Sequence, residues 1–129
     1  MPRPNEVKYV YKKAVKISEF DDEMRNHINN QTPVSAAIGV TLTGLFVNPI
    51  IGCTLGLVSL TMIINDYLQD QLVLKFNSFM DELLDKPSNT KVYLGTKYVY
   101  KRKGSQGSFW VGTGDVKFSF NASDFEQAD

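Results

Sequence analysis

The chain has 129 residues with a mean hydropathy of −0.20, and 43% of them are hydrophobic while 22% are charged, which suits a single domain over 1–129. Its one cysteine excludes an internal disulfide. The formal net charge is zero, but residues 88–120 carry six basic side chains and one acidic side chain, so this part of the chain favours anionic lipid, nucleic acid or an acidic partner.

The N-terminal segment 6–17, EVKYVYKKAVKI, alternates valine and tyrosine with lysine. A period of two predicts a half-exposed β-strand. The polar stretch 18–31 then begins with Ser18, which suits a helix N-cap, and has acidic residues in its first turn. We therefore expect a short helix after the strand.

An apolar run over residues 34–64 contains no aspartate, glutamate, lysine, arginine or histidine. About 20 apolar residues suffice to cross a bilayer core about 30 Å thick. Thr32-Pro33 and Asn48-Pro49 each place a capping residue before a proline, and proline suits the first position of a helix. The run is therefore predicted to form a helical hairpin that turns just before Asn48, each arm spanning only about 21 Å.

The second helix of this hairpin is expected to continue beyond the apolar run. Apolar residues recur at every fourth position while acidic and amide side chains take the other faces. This pattern is typical of an amphipathic helix, so the hairpin is predicted over 33–85, ending before Lys86-Pro87. The recurring positions are Leu60, Ile64, Leu68, Leu72, Phe76 and Met80.

Between residues 90 and 120 the period returns to two, which predicts a β-hairpin or meander. Its loop falls at 104–107 and a turn or bulge at 112–115, and the acidic tail 121–129 is expected to be frayed. The predicted fold class is α+β: an apolar helical hairpin with a long amphipathic continuation, plus a small antiparallel β-sheet.

One short segment of the chain is repeated almost unchanged. Residues 8–13 read KYVYKK and residues 97–102 read KYVYKR. One interpretation is that this amphipathic strand sequence arose twice without structural meaning. The other is that both strands lie in one sheet as equivalent elements.

No residues suggest catalysis or metal binding. The only histidine, His27, lies in a polar stretch away from any nucleophile motif, and phosphate-loop and zinc-protease motifs are absent. The acidic run 21–23 suits an exposed helix start better than a cation site. We therefore expect no enzyme, no metal and no cofactor.

The apolar run has three possible environments: lipid, a core shared between copies of the chain, or the core of a monomer. A helix that is apolar on all sides must be buried on all sides, and the rest of this chain is too short to surround two such helices easily. Lipid is therefore the preferred environment. The residues expected to insert are Val34, Ile38, Leu42, Leu45, Phe46, Ile50, Ile51, Leu55, Leu57, Leu60, Ile63 and Ile64.

Small residues in the run allow helices to approach closely. Ser35, Gly39 and Thr43 repeat at every fourth position, and Gly52 with Gly56 forms a GxxxG motif. The predicted helix-packing residues are Gly39, Gly44, Gly52 and Gly56. The residues predicted to bind a surface, by charge or as interfacial aromatics, are Lys97, Tyr98, Tyr100, Lys101, Arg102, Lys103 and Trp110.

The apolar hairpin resembles the membrane-inserting hairpin of pore-forming colicins. An apolar segment containing glycine and alanine, followed by a β-hairpin rich in lysine and tyrosine (KVYLGTKYVYKRK), resembles small bacteriocin-like proteins of Gram-positive bacteria. The resemblance covers residues 32–120 and is one of pattern. It implies a membrane-active toxin that forms pores and oligomers.

The first functional hypothesis is thus a membrane-active protein, bacteriocin-like or holin-like, at a cell membrane or secreted, with lipid as its partner and a homo-oligomer as its form. The alternative is a non-lytic subunit, anchored or self-assembling, whose hairpin packs between protomers and whose sheet binds a protein. A weaker hypothesis is nucleic-acid binding by the basic aromatic sheet.

Overall fold

The described part of the chain forms three α-helices and seven β-strands. The computed structural model describes residues 3–30, 33–102, 104 and 107–129, apart from the side chain of Ser35. In chain order the elements are β1 (Val7–Tyr11), β2 (Val15–Lys16), α1 (Ile17–Asn29), α2 (Val34–Leu42), a π-helical turn (Thr43–Val47), a 3-10 turn (Asn48–Ile50), β3 (Thr54–Leu55), β4 (Val58–Thr61), α3 (Asp66–Leu84), β5 (Lys91–Arg102), β6 (Ser108–Ser119), a 3-10 turn (Ala122–Asp124) and β7 (Glu126–Gln127).

The strands form one curled sheet in the order β3-β4-β6-β5-β1-β7, and β2 pairs with the start of β5. The β4–β6 and β1–β7 pairs are parallel and the others antiparallel. The two ends of the sheet meet where the Asp129 backbone N–H donates to the Thr54 carbonyl at 2.8 Å. The sheet is therefore a nearly closed, barrel-like structure, which leaves few unpaired strand edges.

The repeated KYVYK segments lie side by side in this sheet. Lys8 pairs with Tyr98 and Tyr9 with Lys97 in the antiparallel β1–β5 ladder. Both copies therefore lie in one sheet, but they are not equivalent elements. The first copy turns Val10 toward the interior, whereas the second turns Tyr98 and Tyr100 inward.

Two hydrophobic cores fill the molecule. The first lies between the helices and the sheet, and the second, which we call the barrel core, lies inside the curl of the sheet. The helix-side core consists of Val15, Leu42, Phe46, Val47, Leu68, Leu72, Phe76, Phe79, Leu83, Val92, Leu94, Val116 and Phe118. The barrel core consists of Val10, Ile50, Leu60, Tyr98, Tyr100, Trp110 and Ala128.

The predicted apolar helical hairpin is wrong, and with it the predicted fold class. The first half of the run is helical from Val34 to Ile50, but the second half forms the short hairpin of β3 and β4. Gly52 and Gly56 have φ values of 85° and 67°, which lie in the left-handed region. Threonine and valine around them favour a strand over a helix, so the helix cannot continue.

The amphipathic continuation is a helix, but it begins later than expected. The Asn65 side chain caps α3 by accepting from the Leu68 backbone N–H at 3.0 Å. One face of α3 is buried in the helix-side core as the every-fourth spacing indicates. The C-terminal tail differs from the expectation of fraying, because Phe125 is half-buried and Ala128 is buried.

Within the described residues no helix combines the length and apolarity that crossing a bilayer requires. This finding overturns the predicted membrane-inserting and pore-forming function, and the predicted membrane location. Part of the run packs into the two cores. Of the residues expected to insert, Leu42, Phe46, Ile50 and Leu60 are buried, Ile38, Leu45 and Leu55 are half-buried, and Val34, Ile51, Leu57, Ile63 and Ile64 are exposed.

The four predicted helix-packing glycines have different roles. Gly39 faces α3, where an added Cβ would lie 3.7 Å from Val73. Gly44 faces open space. Gly52 and Gly56 are turn residues, so only Gly39 lies at a helix–helix contact.

Candidate ligand-binding groove

The strand β6 carries a bulge in its middle. Thr96 pairs with Val116 and Tyr98 pairs with Gly112, so one residue of β5 faces residues 113–115 of β6. Gly114 has a φ of 91°, and a Cβ there would lie 2.7 Å from the Tyr67 ring. The bulge therefore needs glycine both for its backbone and for the close approach of α3.

A polar cluster holds the bulge in place. The Tyr67 hydroxyl donates to Asp115 Oδ1 at 3.1 Å, and Lys97 Nζ lies 3.9 Å from Asp115 Oδ2. The Asp115 backbone N–H donates to Thr113 Oγ1 at 3.3 Å. The hydrogen bond to Asp115, and then its negative charge, raise the pKa of Tyr67 above the ordinary value of 10.0. The Asp115 carboxylate is thus engaged on two sides.

Beside this cluster lies a groove of about 500 Å³. It forms where the chain leaves β4 and crosses toward α3 past the bulge. This volume lies within the range of small-molecule sites, which are mostly apolar with a few polar groups. Its apolar walls are Met62, Ile63, Phe109 and Val111, the glycines are Gly112 and Gly114, and its polar groups are Thr61, Asn65, Tyr67, Lys101 and Thr113.

The groove lies on the outer face of the sheet along β5 and β6. Tyr100 pairs with Trp110 and both are buried, whereas the next pair along the ladder is Lys101 and Phe109. Because side chains alternate along a strand, Lys101 and Phe109 point away from the barrel core. Ile63, with 79% of its surface exposed, forms the opposite wall.

Lys101 gives the groove a positive charge. Its Nζ lies 3.4 Å from Asn5 Oδ1, and among the described residues no carboxylate lies within ion-pair distance of it. Among the described residues none of those that line the groove is an aspartate or a glutamate, and the nearby Asp115 is held at the rim by Tyr67 and Lys97. An apolar cleft with a lysine and no facing acid favours a ligand with a negatively charged group.

The predicted surface-binding residues divide into two sets. Lys101 and Arg102 are exposed and Lys97 is half-buried at the bulge, while Lys103 lies outside the described residues. The predicted interfacial aromatics Tyr98, Tyr100 and Trp110 instead fill the barrel core, where they are 0%, 5% and 1% exposed. These three aromatics therefore cannot contact a surface in this structure.

Burial has a cost inside the barrel core. The Tyr98 hydroxyl and Trp110 Nε1 have no hydrogen-bond partner within the described structure, and neither does Thr96 Oγ1. Burial raises the pKa of Tyr98, with a smaller contribution from nearby Cys53, because the charged phenolate is disfavoured away from water.

Two groove residues belong to the sets predicted from the sequence, Lys101 to the surface-binding set and Ile63 to the membrane-inserting set, and the sequence does not single out the others for binding. The local signal for the groove is the glycine-rich stretch 112–115, which predicts a turn or bulge. Among the described residues no group of three or more histidine, cysteine, aspartate or glutamate side chains could hold a metal ion. Cys53 donates from Sγ to the Pro49 carbonyl at 3.1 Å.

Comparison with known proteins identifies no relative: no family model, no curated protein and no solved structure matches the chain. The geometry of the groove is therefore the basis on which a function can be proposed.

Proposed function

We propose that this protein binds a small amphipathic anion, with the apolar body of the ligand in the groove and its negative group beside Lys101. The observation that carries the proposal is the combination of a cleft of about 500 Å³ with apolar walls and a lysine that faces no acid. Binding sites for small molecules have this composition.

The apolar walls supply most of the affinity. Burial of apolar surface contributes about 25 cal/mol per Å², so a ligand of two aromatic rings that buries about 200 Å² gains about 5 kcal/mol. Association entropy offsets part of this gain. We therefore expect dissociation constants in the high micromolar to millimolar range.

Lys101 supplies selectivity. An ion pair in contact with water contributes about 1 kcal/mol or less, which corresponds to a factor of about five in affinity. The charge therefore distinguishes an anion from its neutral analogue without dominating the binding energy.

Two matched fluorescent probes test these two contributions. 1-Anilinonaphthalene-8-sulfonate carries the same two ring systems as N-phenyl-1-naphthylamine but adds a sulfonate. We expect the full chain to bind the sulfonate about fivefold more tightly. Lys101→Gln should remove this preference, while Lys117→Gln, a change of an exposed lysine outside the groove, should leave it unchanged.

A second pair of variants tests the apolar wall. Ile63→Gln should weaken both probes about three- to tenfold, because the exposed wall of the groove is lost. Leu84→Gln removes a similarly exposed side chain, 76% against 79%, at the end of α3 and should have no effect. Equal binding by both variants, or no binding by the wild-type chain, would contradict the proposal.

A further inference from the structure

The C-terminal segment 121–129 occupies a second depression on the outer face, separate from the groove. Its Phe125 ring lies on Gly95 of β5, where an added Cβ would overlap the ring. The Tyr9 and Tyr11 rings flank it, each with a centroid distance of 6.4 Å. We call this depression, formed by Gly95, Tyr9 and Tyr11, the Gly95 notch.

The segment also adds a short strand to the sheet. β7 runs parallel to β1, with Val10 beside Glu126 and Tyr11 beside Gln127. The Ala128 backbone N–H then donates to the Tyr11 carbonyl at 2.8 Å. Strand addition of this kind is a general mode of peptide recognition, in which the backbone gives affinity and pockets for side chains give specificity.

Charge complementarity accompanies the strand addition. The segment carries Asp124 and Glu126, and Lys8 Nζ lies 3.9 Å from Glu126 Oε1. Ser119 Oγ donates to Asp124 Oδ2. Lys117 pairs with Gly95 across the β5–β6 ladder, so a basic residue also borders the floor of the notch.

We propose that the Gly95 notch is a recognition site for an acidic peptide of a partner protein, and that the protein's own C-terminal segment is its built-in competitor. The peptide chemistry follows from the present occupant: an aromatic residue between two acidic residues, with a small residue three positions after the aromatic one. The small residue is required because Ala128 is buried in the barrel core, with 4% of its surface exposed.

The buried anchors of the competitor are Ala128 and, in part, the Phe125 ring. Its strand is two residues long, Glu126 and Gln127 are exposed, and Phe125 is only half-buried. A two-residue strand with exposed side chains opens at a lower free-energy cost than the core of a domain. The apparent association constant for an added peptide equals the intrinsic constant multiplied by the fraction of molecules whose notch is open.

The experiment uses the full-length chain and a fluorescein-labelled peptide, NASDFEQAD, which copies residues 121–129. The chain with Phe125→Ala, whose competitor lacks its aromatic anchor, should bind this peptide at least tenfold more tightly than the wild-type chain. A control peptide with alanine in place of phenylalanine should not bind. Absence of peptide binding to a Phe125→Ala chain with wild-type circular dichroism would overturn the proposal.

A second measurement keeps the test decisive if that variant does not fold. In the wild-type chain, excess unlabelled peptide should accelerate hydrogen exchange at the Ala128 and Asp129 amides, which donate to Tyr11 and Thr54. The Tyr100 amide, which donates to Glu6, should not change. Unaltered exchange would count against displacement of the segment by the peptide. A dimer in which two copies exchange their C-terminal segments would show that the occupant is a second copy of the chain, which would overturn the proposed partner.

Discussion

The groove and the Gly95 notch are two depressions on the outer face of one β-hairpin, and they differ in what fills them. Both have glycine at a position where a side chain would collide with a neighbour: Gly114 under Tyr67 and Gly95 under Phe125. In the notch the chain's own aromatic residue occupies the depression. In the groove Tyr67 covers only the rim and a volume of about 500 Å³ remains.

The difference shows how one sheet can carry two kinds of site. A glycine in a strand interior marks a close approach by another group, and in the notch that group belongs to the same chain. In the groove, the close approach of Tyr67 at Gly114 leaves the neighbouring apolar walls uncovered. An occupied depression suits a competitive, regulated interaction, whereas an open one suits a ligand that binds directly.

The largest expected effect on the free energy of unfolding comes from replacing Gly95, and a glycine in open space serves as the control. Gly95→Ala should displace the Phe125 ring and lower the free energy of unfolding by about 1–3 kcal/mol. Gly44→Ala, in a helical turn with nothing near its added Cβ, should raise it by about 0.5–1 kcal/mol. Urea unfolding measures both, and a shift in the same direction for both would remove the distinction.

An intermediate effect is expected at the bond that anchors the occupant of the notch. Ser119→Ala removes the hydroxyl that donates to Asp124 and should lower the free energy of unfolding by about 1 kcal/mol. Ser78→Ala removes an exposed hydroxyl whose hydrogen bond, within the described residues, is to the Leu74 carbonyl of its own helix. This control should change stability little, and equal losses from both serines in urea unfolding would contradict the anchoring role.

The smallest effect is a pH dependence at the rim of the groove. The folded chain raises the pKa of Tyr67 above its unfolded value of 10.0, so the folded state holds this proton more tightly. The resulting stabilisation is present below pH 10 and is lost as the pH rises through the folded pKa. The stability difference between the wild type and Tyr67→Phe should therefore shrink in urea titrations from pH 9 to pH 11.5. Tyr98 is present in both proteins, so its ionisation does not change the difference between them. A difference that stays constant with pH would show that Asp115 does not hold the Tyr67 proton.

The parts of the fold that sequence predicted are those with strong local patterns. The every-fourth spacing of α3 and the alternation along β5 are each visible within one segment. Over residues 51–64 the absence of charge suggests a helix, but Gly52 and Gly56 form turns and the β-branched residues beside them favour strands. Local strand propensity, together with pairing of β4 to β6, decides the outcome there.

The candidate site was mostly hidden from the sequence for a different reason. Alternation placed Tyr98 and Tyr100 on one face of β5, but aromatic residues with polar tips suit a membrane interface and a barrel interior equally well. The groove depends on where residues 62–65 cross a bulge that is distant in the sequence, and no local pattern encodes such a crossing. The predicted homo-oligomer stays a prediction.

The most direct test of the proposed function is a titration of the isotopically labelled full chain with 1-anilinonaphthalene-8-sulfonate, followed by backbone amide NMR. The account predicts saturable shifts concentrated at Ile63, Val111 and Gly112, with little change at Gly95 and Phe125. Shifts concentrated in the barrel core or at the notch, or no saturable shifts, would contradict the assignment of the groove as the ligand site.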